Sequence, residues 1–335
     1  MTKKIIVTGG LGFIGSHTAV SLHEAGFEPI IIDNLSNSKI EMLKGISTLI
    51  GYTPIFIEAD VNHTELLIKL IEQHNPEAII HFAAFKAVGE SVEKPLMYYQ
   101  NNVGGLISLL QAMNTTGLNK VVFSSSCTVY GEPAEIPVKE STLTKPAESP
   151  YGATKQMGET ILRDNSKWLN TQCLRYFNPI GAHPSGLIGE LPLGVPNNLI
   201  PYLTQTVAGI RNSLTVYGSD YATPDGTCIR DYIHVMDLAD AHVCAVQRLI
   251  ENKQNENFEV FNIGTGSGSS VLDVIKTFED VNQIPVPHTM GPRRPGDVVQ
   301  VWADTTKVEK VLGWNAKRDL AEMLKDAWNW QKSLN

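Results

Sequence analysis

A glycine-rich turn between a strand pattern and a helix pattern is the feature that most restricts the fold of this chain. The apolar run KKIIV is followed by TGGLGFIG and then by the helical pattern GSHTAVSLHE. The turn can be aligned as Gly9-x-x-Gly12-x-x-Gly15, or as G-x-G-x-x-G from Gly10. Glycines allow a tight turn and the close approach of a pyrophosphate, while the helix N-terminus offers free N–H groups. Because the strand and the helix provide the context that this motif requires, we predict a dinucleotide-binding unit rather than a purely structural turn.

An acidic residue ends the second strand pattern, EPIIID. This residue, Asp33, lies eighteen positions beyond Gly15. A carboxylate at that place can accept a hydrogen bond from a ribose 2′-OH and would repel a 2′-phosphate, which favours NAD over NADP. Asp60 and Val61 end the next strand pattern. They either lie beside the adenine or simply close a strand.

Short apolar runs alternate with helical patterns through the first half of the chain. Strands are predicted at TPIFIEAD, AIIHFAA, KVVFSSS and TQCLRYFN, and helices at TELLIKLIEQH and GGLISLLQAM. Nearly continuous apolar strands are typical of a parallel sheet with helices on both faces. The sequence therefore predicts an α/β fold with a doubly wound parallel (Rossmann) sheet, whose ligands bind beyond the carboxyl ends of the strands.

The pattern changes near residue 180, where a long segment is rich in glycine and proline. We expect this segment, PIGAHPSGLIGELPLGVPNNLIP, to begin a smaller lobe. The predicted division is an NAD-binding domain at 1–179, to which 230–264 returns, and a C-terminal substrate-binding lobe formed by 180–229 and 265–335.

Composition excludes several classes of protein. Of the 335 residues, 42% are hydrophobic and 19% are charged, as in an ordinary globular protein. The net charge of −8 disfavours a nucleic-acid partner. Four cysteines without a C-x-x-C pair indicate free thiols in a reducing compartment. No signal-peptide pattern or membrane-spanning apolar run is present, so we expect a cytoplasmic protein without a membrane partner.

The segment SPYGATK places a phenol and an ammonium four positions apart. Tyr151 and Lys155 would share one face of a helix. A free tyrosine has a pKa near 10. Positive charge from Lys155 and from an oxidised nicotinamide would lower that pKa, so that Tyr151 could take a proton from a substrate hydroxyl. Ser126 ends the strand pattern KVVFSSS and could provide a further hydroxyl, whereas Ser124 and Ser125 are better explained as a polar strand terminus. A surface helix pair is the alternative for Tyr151 and Lys155.

Two histidines, His234 and His242, raise the question of a metal site. No partner spacing such as H-E-x-x-H accompanies them, so we interpret them as structural and predict no metal.

Several of these segments together resemble one family. TGGLGFIGSH, SSSCTVYG and YGATK resemble the extended short-chain dehydrogenases/reductases. RYFNPIGAHPSG, PNNLIPY, RDYIHVMDLADAH and PRRPGD extend the resemblance, along almost the whole chain, to the UDP-glucose 4-epimerases of that family. The resemblance implies an NAD-dependent isomerase that epimerises C4 of a UDP-hexose, UDP-glucose or UDP-galactose, through a transient 4-keto sugar. It also implies a homodimer formed through helices that begin near Asn101 and Tyr151.

Roles for individual residues follow from the same resemblance. Tyr151 is similar to the family's base, Lys155 to the lysine that lowers its pKa and binds the nicotinamide ribose, and Ser126 to the hydroxyl on the sugar 4-OH. Besides the glycines and those three, the residues that match NAD contacts are Phe13, Ile14, Asp33, Asn34, Asn37, Asp60, Val61, Phe82, Ala83, Lys86, Asn101 and Phe177. The residues that match UDP-sugar contacts are Asn178, Asn198, Leu199, Tyr217, Arg230, Arg294 and Asp297.

Two rival functions share the fold. Nucleotide-sugar dehydratases and decarboxylases of this family usually carry an acid directly after the serine, where this chain has Cys127 and Thr128. A non-catalytic NAD-binding regulator would be expected to lose the tyrosine or the lysine, and both are present.

One position bears on the choice of sugar. Some relatives carry a tyrosine beside the hexose, four residues after the position of Asp297, and this chain has Val301 there. The smaller side chain predicts room for a 2-acetamido group, and hence turnover of UDP-GlcNAc and UDP-GalNAc. Packing within the strand pattern VVQVWAD is the alternative.

Overall fold

The structure is a computed structural model that describes residues 2–294 and 297–334. The strands are β1 (Lys4–Thr8), β2 (Glu28–Asp33), β3 (Ile55–Glu58), β4 (Ala78–His81), β5 (Lys120–Ser126), β6 (Asn170–Tyr176), β7 (Asn178–Ile180), β8 (Leu214–Tyr217), β9 (Ile229–Arg230), β10 (Tyr232–His234), β11 (Phe258–Ile263), β12 (Ser269–Ser270), β13 (His288–Gly291) and β14 (Gln300–Val301). The α-helices are α1 (Phe13–Glu24), α2 (Glu41–Ile50), α3 (Thr64–His74), α4 (Val88–Glu93), α5 (Pro95–Tyr98), α6 (Gly105–Thr116), α7 (Pro150–Asp164), α8 (Leu199–Val207), α9 (Val235–Ile250), α10 (Val271–Asn282), α11 (Thr306–Leu312) and α12 (Leu320–Ser333). A π-helical turn, Tyr99–Gly104, precedes α6, and a 3-10 turn, Cys127–Tyr130, follows β5.

Seven parallel strands form the central sheet. They lie in the order β11-β6-β5-β4-β1-β2-β3, and every neighbouring pair is parallel. The chain moves outward from β1 in one direction and then, from β4 onward, in the other. This order confirms the predicted doubly wound parallel sheet and places its switch point between β1 and β4.

Helices cover both faces of the sheet, which explains why its strands are apolar throughout. Along β1, Ile5 and Val7 belong to a core shared with α9, while Ile6 belongs to a core shared with α3 and α6. All three side chains are buried. Alternate residues of a strand therefore meet different helical layers, and no position can be polar without a partner.

The segments outside this sheet form smaller units. β7 pairs with β10, β8 pairs with β13, and β9 lies between β12 and β14. Their apolar residues pack with α8, α10 and α12 around Leu203, Phe278 and Leu324. Within 230–264, α9 and β11 pack on or join the central sheet, whereas β9 and β10 pair elsewhere. The division into two lobes stays a prediction.

Over 2–294 and 297–334, no helix is both long enough and apolar enough to cross a membrane. The same stretches bring together no group of three histidine, cysteine or acidic side chains that could bind a metal ion.

Three fully buried histidines predict that the fold is sensitive to acid. Burial lowers the pKa of His17 and His81 to about 3 and that of His242 to about 4. Below pH 6.5 the unfolded chain binds protons at these rings while the folded chain does not, so stability is complete above that pH and falls as the pH drops towards 4. Each ring contributes a slope of about 1.4 kcal/mol per pH unit.

The measurement is urea unfolding between pH 5 and pH 7.5, compared with the variant His242→Asn. An asparagine amide can replace the contact of the ring Nδ1 with the Leu238 carbonyl oxygen, at 2.8 Å. We expect the variant to show a shallower slope by about one third. Identical slopes in the two proteins would contradict this explanation.

Candidate active site

The turn after β1 brings the start of α1 against two neighbouring strand ends. Gly9 has a φ of +69° and its N–H donates to the Ile32 carbonyl at 2.7 Å. A Cβ on Gly9 would lie 2.8 Å from the backbone nitrogen of Ala83, and a Cβ on Gly15 would lie 2.3 Å from the Gly9 carbonyl oxygen. Side chains are thus excluded at both positions, and the backbone stays open to a ligand.

The first turn of α1 fits an anionic group. Its N-cap, Gly12, has no side chain that could accept from the N–H groups of the turn. Phe13 and Ile14 begin the helix, so their N–H groups lie at its positive end. This cradle suits the pyrophosphate of a dinucleotide.

Asp33, at the end of β2, holds the loops around this cradle. Its Oδ2 accepts from the Leu11 N–H at 3.0 Å, and its Oδ1 accepts from the Leu35 N–H at 3.0 Å and from the Ser38 hydroxyl at 2.7 Å. A carboxylate offers about four acceptor positions, which leaves capacity for a ribose hydroxyl. Asp33 therefore ties the glycine turn to the end of β2, a role that the sequence did not reveal.

Asn34 and Asp60 follow the same edge of the sheet. The Asn34 amide donates to Asp60 at 3.0 Å. Burial raises the pKa of Asp60, but hydrogen bonds from Asn62 and Asn34 outweigh it and leave that pKa below its usual value. Val61 is buried, and Asn37 is exposed in the loop after β2.

The other predicted NAD contacts lie on segments that leave the sheet at this edge. Phe82, Ala83 and Lys86 follow β4, and Phe177 follows β6. Asn101 lies in the π-helical turn, a rare element that is frequent at functional sites.

Tyr151, Lys155 and Ser126 meet between β5 and α7. Ser149 caps α7 by accepting from the Gly152 N–H, which fixes the first turn of the helix. The Lys155 ammonium donates to the Ser124 carbonyl at 2.6 Å and lies 5.9 Å from the centre of the Tyr151 ring. Relative exposures of 9% for Tyr151, 5% for Lys155 and 7% for Ser126 exclude the surface-pair alternative.

The pKa of Tyr151 differs from the sequence expectation. Burial raises it well above the usual value, and the neighbouring Ser126 hydroxyl lowers it only in part. Burial also lowers the pKa of Lys155 to about 8. In the protein alone, desolvation therefore outweighs the lowering that Lys155 was expected to provide.

Four of the predicted UDP-sugar contacts lie together in one charged cluster. Arg230 on β9 lies 3.5 Å from Asp297, and Arg294 lies 3.9 Å from the other oxygen of that carboxylate. The Arg294 guanidinium stands 4.9 Å from the centre of the Tyr217 ring. In the motif PRRPGD, residues 295 and 296 lie outside the described residues.

The remaining predicted substrate contacts lie on separate elements. Asn178 begins β7, and Asn198 and Leu199 begin α8. Val301 lies opposite Arg230 in the β9–β14 pair, is 6% exposed, and packs in a small core with Phe177.

The sequence missed one residue of this region, Glu190. Its Oε1 accepts from the Lys86 ammonium at 2.8 Å and from the Asn198 amide at 2.7 Å. A single carboxylate thus joins a predicted cofactor contact to a predicted substrate contact. Glu190 lies in the glycine- and proline-rich segment, where no periodicity distinguishes it.

Comparisons with known proteins agree with this geometry. A family model described as GDP-mannose 4,6 dehydratase matches residues 6–327. The UDP-glucose 4-epimerase of Yersinia pestis is 49% identical over 331 residues, which cover 98% of this chain and 97% of that protein.

Solved structures match over the whole fold. The UDP-glucose-4-epimerase of Stenotrophomonas maltophila, solved with bound NAD and formylated UDP-arabinopyranose, has a TM-score of 0.96 and 44% identity, covering 99% of this chain and 98% of that one. The UDP-glucose 4-epimerase of Bifidobacterium longum, in complex with NAD+ and UDP, has a TM-score of 0.94 and 43% identity, with 99% and 98% covered. These similarities confirm the resemblance inferred from the motifs. The chain belongs to the extended short-chain dehydrogenase/reductase family and, within it, to the UDP-glucose 4-epimerases.

Proposed function

We propose that this protein is an NAD-dependent isomerase that interconverts UDP-glucose and UDP-galactose by epimerisation at C4. The observation that carries the proposal is the joint burial of Tyr151 and Lys155 beside Ser126, at the sheet edge that also holds the glycine turn. The similar epimerases, two of which were solved with NAD, support both the reaction and the cofactor. In a cell the activity would serve galactose metabolism.

The cofactor would lie across the switch point of the sheet. The pyrophosphate would contact the turn formed by Gly9, Gly12 and Gly15 and the first N–H groups of α1, while Asp33 would accept from the adenosine ribose. Bound NAD would accept a hydride from C4 and return it, and its positive nicotinamide would favour the phenolate of Tyr151.

Tyr151 would move the proton of the reaction. Its phenolate takes the proton from the sugar 4-OH and later returns it to the 4-keto oxygen, while Ser126 donates a hydrogen bond to that oxygen. Lys155 donates to the backbone of β5 and so lies at a fixed place beside the phenol. Because burial raises the pKa of Tyr151, the phenolate forms only with further positive charge beside it.

The diphosphate of the substrate would bind to the charged cluster. Guanidinium groups suit phosphate oxygens, and Arg230 and Arg294 approach from two segments joined by Asp297. Tyr217, Asn178, Asn198 and Leu199 would contact the remainder of the nucleotide and the sugar.

Dehydratase chemistry lacks its acid here. Burial raises the pKa of Cys127, which follows Ser126, to about 12. With so high a pKa the thiol is a poor proton donor at neutral pH and does not replace the acid that elimination requires.

We also propose that N-acetylated UDP-hexoses are turned over. Val301 adjoins Arg230, a predicted UDP-sugar contact, and packs with Phe177, a predicted NAD contact, which supports a role for this position in the space available to the hexose.

A homodimer and a cytoplasmic location complete the proposal. Ile107 on α6 and Met157 on α7 are 42% and 44% exposed, as expected of helices that meet a second copy. The four cysteines are free thiols, in keeping with a reducing compartment.

The test of the proposed function is proton NMR of the purified protein with UDP-galactose and no added NAD. Appearance of UDP-glucose would establish an epimerase that retains its cofactor. Absence of the epimer, even after NAD is added, would refute the proposal and leave a dehydratase or a non-catalytic NAD-binding regulator as the alternatives.

The variant Tyr151→Phe removes the proton-transferring hydroxyl and keeps the ring. We expect kcat to fall by about 10²–10⁴-fold, the effect of losing a general base, with little change in KM because the diphosphate contacts remain. Tyr52→Phe, at a tyrosine 41% exposed on the surface, is the matched control and should retain full activity. A Tyr151→Phe protein with near-normal kcat would exclude Tyr151 as the base.

The variant Val301→Tyr tests the choice of sugar. We expect turnover of UDP-N-acetylgalactosamine to be lost while turnover of UDP-galactose remains, because only the larger sugar needs the space. Parallel NMR assays on the two substrates provide the measurement, and Val301→Ala, which adds no volume, should retain both activities. Loss of both activities in Val301→Tyr, or of neither, would contradict the role given to Val301.

A further inference from the structure

Helix α7 carries a third buried polar side chain in line with its two catalytic ones. Glu159 follows Lys155 by four positions, as Lys155 follows Tyr151, so the three lie on one face of the helix. Glu159 is 4% exposed. The reaction proposed above gives this carboxylate no part, and a charge is rarely buried without a partner.

The carboxylate of Glu159 is bound by two strands of the central sheet. The Arg175 guanidinium donates to both of its oxygens, from Nε at 2.8 Å and from Nη2 at 2.5 Å. The Ser125 hydroxyl donates to Oε1 at 2.6 Å. Ser125 on β5 and Arg175 on β6 are neighbours in the sheet register. Three hydrogen bonds therefore fix one point of α7 against both strands.

The same arginine continues the network away from the helix. Its Nη1 donates to the Tyr130 hydroxyl at 2.9 Å, and that hydroxyl donates to the Asn262 side chain on β11 at 2.6 Å. Tyr130 belongs to the turn directly after Ser126. The network thus connects the catalytic helix with the turn that follows the catalytic serine.

Close packing holds α7 and the Lys155 ammonium against β5. A Cβ on Gly158 would lie 2.7 Å from the Phe123 ring, so a glycine is needed for α7 to approach β5. The ammonium lies 5.1 Å from the centre of that ring. Among the described residues, the polar groups that face it from the sheet are His81 on β4, the Ser124 carbonyl on β5 and Cys173 on β6.

Few of the groups around Lys155 are charged near pH 7, and the charge of Arg175 is balanced by its ion pair with Glu159. Burial lowers the pKa of His81 to about 3 and raises the pKa of Cys173, so both are neutral near pH 7. Burial also raises the pKa of Tyr151, which leaves the phenol neutral in the protein alone. Burial lowers the pKa of Lys155 to about 8, and the negative charge of Glu159 opposes that effect.

We propose that Glu159, held by Ser125 and Arg175, is a positioning residue. It fixes the part of α7 that carries Lys155 against β5 and β6, and it balances the buried charge of Arg175 so that this charge does not act on the Lys155 ammonium. The inference rests on the proposed function, because it assigns Glu159 a part in the reaction of Tyr151 and Lys155. Glu159 acts through Lys155 and touches neither substrate nor cofactor.

The protein contains a matched control for the buried pair Glu159–Arg175. Glu259, 6% exposed, accepts from Arg248 at 2.8 and 2.9 Å and from the Gln172 amide at 2.6 Å. It lies near the start of β11, at the edge of the sheet opposite the catalytic residues. Glu259→Gln therefore removes an equivalent buried carboxylate far from Lys155.

The first experiment compares Glu159→Gln with Glu259→Gln in the complete enzyme. The pH dependence of kcat and KM is measured with UDP-galactose, and ¹³C NMR of lysine-labelled protein follows the titration of Lys155, whose signal is assigned from Lys155→Arg. For Glu159→Gln we expect the Lys155 titration and the alkaline limb of kcat to move to lower pH by about one unit. The loss of kcat should therefore grow from about twofold at pH 7 to about fivefold at pH 8, while KM stays within about twofold. Glu259→Gln should lower Tm and leave both titrations in place.

An unshifted Lys155 titration in Glu159→Gln, or an equal shift in both variants, would overturn the proposal. The NMR titration needs no turnover. An inactive wild-type enzyme would therefore refute the proposed function, while the Lys155 titration would still show whether Glu159 acts on Lys155.

A second variant remains informative if Glu159→Gln does not fold. Ser125→Ala removes one hydrogen bond and leaves no charge unpaired. We expect kcat of Ser125→Ala to fall by about three- to tenfold at unchanged KM, the effect of losing one charge-assisted bond. Ser125→Thr keeps the hydroxyl and should retain the normal kcat. An unchanged kcat in Ser125→Ala would overturn the proposal.

Discussion

Parallel hydrogen bonding in the central sheet is the constraint on which the rest of the structure depends. Because all seven strands run in one direction, each strand ends at the same edge, and each is followed by a segment that leaves the sheet there. Gly9 after β1, Asp33 on β2, Ser126 on β5 and Phe177 after β6 are far apart in sequence and meet at that edge. The helices then start where the strands end, so their positive N-termini face the same space. A site for an anionic dinucleotide is a consequence of the topology, which the side chains then refine.

The second determinant is the burial of charge next to this edge. An ammonium and a carboxylate inside a protein are costly unless each has a partner at a fixed place. The Lys155 ammonium donates to a carbonyl on β5, and the Glu159 carboxylate accepts from Arg175 and Ser125. These demands couple α7 to the sheet more tightly than apolar packing alone could, because hydrogen bonds fix direction as well as distance. The same arrangement that makes the charges tolerable also determines where the phenol of Tyr151 lies.

Features with a short-range sequence pattern could be predicted from the sequence, and features without one could not. The strands of the central sheet, the glycine turn and the pairing of Tyr151 with Lys155 follow from short-range periodicity, and the structure places them as expected. Glu190 could not be found in this way, because its contacts with Lys86 and Asn198 join three segments without regular pattern. The two-residue strands β9 and β14 are also too short to produce a period. The raised pKa of Tyr151 depends on how deeply the phenol is buried, a quantity that spacing does not contain.

The two sides of the candidate site differ in exposure to solvent, and the proposed reaction can use that difference. Tyr151 is 9% exposed, whereas Tyr217 is 41% exposed and the Arg294 side chain is 52% exposed. For C4 to be reduced on its opposite face, the keto sugar must turn over while the proton donor stays in place. A site that bound every hydroxyl of the hexose firmly would prevent that rotation. Binding energy is therefore better placed on the diphosphate and nucleotide, which do not react, and precise geometry on the buried helix, whose side chains must meet the sugar in either orientation.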